Sequence, residues 1–172
     1  VRYLEKCLEL GITNIHVHKG PTIWPLNSDA FDVTDIDQTA TLFTDLTFII
    51  EHCGLPRFED FCWIAQQESN VWGGLAVVMA FIHTRPRYFG EVMAELLWWL
   101  GEDKLTFASD YALWHPKWLV EKFIDFELPD DIKQEFGVDL TMEAKTKILG
   151  LNAAGLYGID VEAQKQKLKN DG

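Results

Sequence analysis

Two of the chain's five histidines, His16 and His18, stand one residue apart in "NIHVHKG". A third, His52, closes the apolar run "LTFIIEH", and Asp110 closes "LTFASD". Neutral imidazoles and carboxylates suit a divalent ion such as Zn²⁺, at about 2.0–2.2 Å with one position left open. An ion held in this way lowers the pKa of a bound water toward ~7 and polarises a carbonyl. A further His or Asp then moves the proton. Each residue also has a plainer reading. A histidine at a strand end is commonly a hydrogen-bonded rim or core residue, and Asp110 in "SDY" can cap the turn that follows.

What joins these residues is the place they take in the elements that carry them. Residues 2–10 read as an amphipathic helix with Gly11 at its C-terminal cap. "ITNIHVHKG" alternates like a strand, with Ile15 and Val17 on one face and His16 and His18 on the other. A Pro-rich loop and a helix near 34–44 follow. "LTFIIEHCG" is a second strand, mostly apolar as expected when both faces are covered, and "PRFEDFCWIAQQES" is the helix after it. "NVWGGLAVVMAF" reads as a third strand, "PRYFGEVMAELLWWLG" as a helix ended by Gly101, "KLTFASDY" as the fourth strand and "PKWLVEKFIDF" as a helix. Two helical segments near 129–136 and 141–150 precede "NAAGLYGI", and the basic tail "QKQKLKNDG" reads as a frayed terminus.

The chain therefore cycles strand then helix four times, the pattern of parallel βα units in the α/β class. The site of such folds forms at the C-terminal ends of the strands, where the loops converge. His18, His52 and Asp110 all fall at that place. Asp110, after an apolar strand, needs a cation or several donors, because burying an unpaired carboxylate costs several kcal/mol.

Composition narrows the functions. At 172 residues and 48% hydrophobic, the chain is long enough for one domain with a packed core. Its net charge of −12 disfavours a phosphate-binding surface and so nucleic acid. No apolar run reaches the roughly 18 residues that span a membrane, and no signal peptide is visible. Cys7, Cys53 and Cys62 are odd in number and scattered, which suggests a reducing, cytoplasmic setting. Because Val1 runs directly into a helix, the expectation is that a leader has been removed or that Val1 lies inside a longer domain.

"IHVHKG", "FIIEHCGLP", "LTFASDYALWHP" and "KILGLNAAGLYGI" together resemble the amidohydrolase-related family of metal-dependent (β/α)8-barrel hydrolases and decarboxylases, which includes aminocarboxymuconate-semialdehyde decarboxylase. The resemblance runs from about residue 3 to 160. The family's last strand ends in a Gly-Ser-Asp triplet, and here Ala108 replaces the glycine of Ala108-Ser109-Asp110. Its closing helix is matched at Ile148, Leu149, Asn152, Ala153, Leu156, Tyr157 and Gly158. A His-x-His pair in the wider superfamily marks the first strand. Only two strand candidates separate "HVHKG" from "SDY", so "HVHKG" corresponds to strand five.

The resemblance implies that residues 1–172 form a single domain, strands five to eight of a TIM barrel and the C-terminal fragment of one. A whole barrel takes about 250 residues. It implies that His18 and Asp110 hold a divalent metal, Zn²⁺ first, that His52 and Asp110 serve catalysis, and that His16 is structural. Arg57 and His115 become candidates for substrate contact, beside the default of a solvated loop residue. The implied activity is metal-dependent hydrolysis or decarboxylation of a small carboxylate, cyclic amide or lactone. The expected partners are a small-molecule substrate and either the N-terminal half-barrel or a second copy that closes the ring. The alternative is a non-catalytic half-barrel that serves as a partner or assembly subunit.

Overall fold

A computed structural model describes residues 2–111 and 114–170. In chain order, α1 (Arg2–Glu9), β1 (Asn14–His18), α2 (Asp35–Leu42), β2 (Thr47–Glu51), α3 (Phe58–Gln67) and β3 (Val71–Gly74) make the first half. Then come α4 (Phe81–Thr84), α5 (Pro86–Leu100), β4 (Leu105–Thr106), α6 (Pro116–Asp125) and α7 (Asp130–Phe136). A closing helix runs as α8 (Met142–Thr146), a π-helical stretch (Lys147–Leu151) and α9 (Asn152–Leu156), and α10 (Val161–Asn170) is last. The four strands form one parallel sheet in the order β1-β2-β3-β4, as the strand–helix alternation predicts.

Side-chain alternation divides the sheet into two faces. Ile15, Val17, Phe48, Ile50, Val71 and Leu105 pack into the core with Phe61 and Ala65 of α3, Phe89 and Met93 of α5, and Phe123 of α6. His16, His18 and Glu51 occupy the opposite face. At its C-terminal edge the register lines up His18, Glu51, Gly74 and Thr106 as one rung across all four strands.

Local chemistry sets the helix ends. Pro86 and Pro116 open α5 and α6, and Gly101 ends α5 at φ 68, with its N–H donating to Leu97 O. The Thr141 hydroxyl accepts from Ala144 N at 3.1 Å and starts the closing helix.

Three expectations about extent need correction. The third strand is four residues long, not twelve, because Val77 takes a left-handed φ of 62 and turns the chain into α4. The fourth keeps two residues in the ladder, because the Phe107 N–H donates instead to Ile148 O of the closing helix at 2.9 Å. The tail is helical through α10, capped where Asp160 Oδ1 accepts from Ala163 N at 2.9 Å. The closing helix ties together the two ends of the sheet: the Asn14 amide donates to Leu156 O at 2.7 Å, and the Asn152 amide donates to Leu105 O at 2.8 Å.

Candidate active site at the strand ends

A cleft of about 630 Å³ opens at the C-terminal rim of the sheet, lined by His18, Glu51, His52 and Asp110 together with Pro21, Ile23, Ala76, Val77 and Ala108. The backbone around it is strained. His52, Cys53, Val77 and Asp110 all take positive φ, and each lies just past the end of β2, β3 or β4. Non-glycine residues hold such angles only where their surroundings over-determine them, as at functional sites. Gly20 lets the loop after β1 settle onto His52. A Cβ there would lie 2.8 Å from Leu55 O and 2.9 Å from His52 Cβ.

His18 and His52 form a contact whose protons do not add up for two neutral rings. His18 Nε2 donates to Pro21 O at 2.8 Å, and His52 Nδ1 donates to Ala76 O at 3.1 Å, since carbonyl oxygens only accept. The remaining nitrogens, His18 Nδ1 and His52 Nε2, face each other at 2.9 Å. If each ring carries one proton, two lone pairs point into the same gap. A cation resolves that opposition, as a third proton or as a metal ion. An ion held on His18 Nδ1 would remove the opposition and leave His52 Nε2 beside it, bare and able to accept a proton.

His16, two residues earlier on the same face, is satisfied throughout. Its Nδ1 donates to Glu51 Oε1 at 2.6 Å, and its Nε2 accepts from the Tyr157 hydroxyl at 2.6 Å. One neutral tautomer serves both bonds. Glu51 Oε2 is buried with no hydrogen-bond partner among the described residues. It lies where a side chain on Gly74 would sit, 2.4 Å from the position of a Cβ there.

Of the residues singled out from the sequence, His18, His52 and Asp110 meet at this cleft. Arg57 is ion-paired to Asp32. His115 caps α6, its Nδ1 accepting from Lys117 N at 3.2 Å. Neither is among the cleft's lining residues. Lys19 is buried and paired with Asp35 at 2.8 Å, so among the described residues the lining presents two imidazoles and two carboxylates with no lysine or arginine. Cys53, beside His52, is no competing nucleophile: burial pushes its thiol well up, with help from Cys62 and Glu51. Glu51 escaped the sequence reading, although it is the last residue of the apolar strand β2.

The donor set suits a divalent ion. Two imidazoles and two carboxylate side chains line one cleft, and one oxygen of Glu51 is buried without a partner among the described residues. Among the described residues no three His, Cys, Asp or Glu side chains already stand together as a metal cluster, so Glu51 and Asp110 reach a common ion only by turning toward the imidazole pair.

Fold and rim together define half of a parallel α/β barrel with a polar strand-end site. The family profile described as Amidohydrolase matches residues 1–159, and the chain belongs to that family. An uncharacterized TIM-barrel protein from Bordetella bronchiseptica superposes with a TM-score of 0.58 at 18% identity, over 92% of this chain and 50% of its own. A candidate 2-pyrone-4,6-dicarboxylic acid hydrolase from Pseudomonas putida superposes with a TM-score of 0.52 at 14% identity, over 93% of this chain and 68% of its own. The chain thus spans about half the length of the first of these barrels. No curated protein matches the sequence. Among the described residues, no helix is long and apolar enough to cross a membrane.

Proposed function

We propose that residues 1–172 form one domain that supplies strands five to eight of a metal-dependent hydrolase or decarboxylase acting on a small carboxylate, cyclic amide or lactone. His18 and Asp110 hold the ion, with Zn²⁺ preferred by the His and carboxylate donors. His52 stands against His18 and passes the proton. The ion, when bound, supplies Lewis acidity toward a carbonyl and an activated water. Ile23, Val77 and Ala108 give the cleft apolar walls.

The observation that carries this reading is the pair of imidazole nitrogens facing each other at 2.9 Å at two adjacent strand ends. Zinc titration by calorimetry, with metal content measured after gel filtration, tests it. One ion per chain is expected, and His18→Ala should lose it. Wild-type protein that retains no divalent ion, or His18→Ala that retains it equally, overturns the proposal.

A second reading rests on the sheet's edges. Among the described residues β1 and β4 each pair with one strand only, which suits docking to another half-barrel, either an N-terminal half or a second copy. Light scattering that finds a stable 19.8 kDa monomer counts against it.

A further inference from the structure

We propose that Glu51 is itself a metal-holding side chain, and that Tyr157 and His16 orient it. The inference rests on the metal-binding reading above and adds a ligand to it. Glu51 stands in register beside His18, on the same face and on the rim rung. One of its oxygens is fixed and the other is not. Oε1 receives the His16 Nδ1–H at 2.6 Å, while Oε2 is buried without any partner among the described residues. An ionised carboxylate oxygen kept from water without a donor is costly, and a cation at the rim removes that cost.

The supporting line spans the sheet. The Tyr157 hydroxyl donates to His16 Nε2, which fixes the tautomer with its proton on Nδ1, and that proton holds the near oxygen of Glu51. Metal-ligating groups are commonly oriented by such outer hydrogen bonds. Gly74 completes the device. It leaves open the space that the carboxyl group occupies, and a methyl group there would meet Oε2. Among the described residues the other charged clusters do not share this feature. Lys147 is met by Glu102 and Asp103, and Lys19 by Asp35.

The test is zinc affinity, read by calorimetry on the full chain, with the metal-free thermal melt followed in parallel. Glu51→Gln keeps the shape and an acceptor for His16. It should weaken zinc binding on the order of 100-fold or more while leaving the metal-free melt unchanged or raised, and Tyr157→Phe should weaken binding by roughly 10-fold. Should Glu51→Gln fold poorly, Gly74→Ala probes the same oxygen by displacing it and should also weaken binding. Wild-type protein that binds no zinc overturns this inference together with the metal reading. Wild-type protein that binds zinc no better than Glu51→Gln or Gly74→Ala overturns the role of Glu51 alone. Unchanged affinity in Tyr157→Phe overturns the orienting line.

Discussion

His16 and His18 share a strand, a face and a residue type, yet their surroundings ask opposite things of them. His16 lies in a line of hydrogen bonds that one neutral tautomer completes, from Tyr157 to Glu51. His18 lies in a line that two neutral rings leave one proton short, between Pro21 and Ala76. A completed line orients side chains, whereas an incomplete one binds something. The difference explains how one His-x-His pair divides into a supporting residue and a candidate ligand.

Exchanging each histidine for alanine breaks the comparison most directly. His18→Ala should abolish zinc binding, on the order of 100-fold or more in affinity, while the metal-free melt hardly moves because an unfavourable lone-pair contact has gone. His16→Ala should behave in the reverse sense. It strips the donor from Glu51 and should cost about 1–2 kcal/mol of stability, seen as a fall in Tm of a few degrees, with a smaller loss of zinc affinity. If the two variants show the same profile, the distinction drawn here is wrong.

Gly74→Ala sharpens the comparison without touching either histidine. Since the clashing group is the carboxyl end of Glu51, whose displacement also loosens its bond to His16, the expected cost in stability is about 1–3 kcal/mol. The zinc affinity should fall by more than that cost implies. A large loss of stability with normal zinc binding would show that Gly74 serves packing alone.

The thiols test whether the rim beside His52 is dry. Burial pushes the Cys53 and Cys62 thiols up, aided at Cys62 by Glu95 and Glu59. A thiol reagent at neutral pH should therefore modify Cys7, which is half-buried, and reach the other two only after denaturation. Fast reaction of Cys53 in the native protein would mean an open rim.

The smallest expected effect lies away from the site and serves as its control. Burial lowers the Lys104 ammonium to about 8, with Glu68 opposing that shift, and its amine donates to the carbonyls of Ala65 and Glu68. In the unfolded chain the same group keeps its proton to about 10.4. Between these values the unfolded state holds this proton and the folded state does not, so the contribution of Lys104 to stability should rise as pH increases from about 8 to 10. The gain should be on the order of 1 kcal/mol once solvent screening of this half-exposed group is allowed for. Because the buried Cys53 and Cys62 thiols, raised in the folded state, lower stability over the same range in both proteins, the gain is read as a difference. Chemical denaturation at pH 7.5 and 9.5 should show the stability of the wild type changing more favourably with pH than that of Lys104→Met. A wild type that changes less favourably than Lys104→Met would reverse the sign.

Much of this was legible in the residues. Alternation in "NIHVH" and the apolar run "TFII" mark strands, and Pro and Gly mark the ends of α5, so the four βα units and the strand-end positions of His18, His52 and Asp110 follow from pattern. The lengths of the third and fourth strands did not, because Val77 turns the chain and Phe107 finds its acceptor on a distant helix. Arg57 and His115 became site candidates through the resemblance and their place in the loops after two of its motifs, whereas Asp32 and the α6 terminus engage them. Glu51 was passed over because a carboxylate ending a strand carries no sign of whether its oxygens are satisfied.

The sequence by itself determined the class of fold, the rim on which the polar residues fall and the types of donor gathered there, since these depend on local periodicity and on neighbours a few residues away. Only the tertiary structure decided which ring nitrogens of His16, His18 and His52 meet hydrogen-bond partners and which two face one another. The partner of His18 lies 34 residues away and that of His16 lies 141 residues away. An imidazole's proton goes where its hydrogen-bond partners require it, and those partners meet only when the sheet and its closing helix have formed.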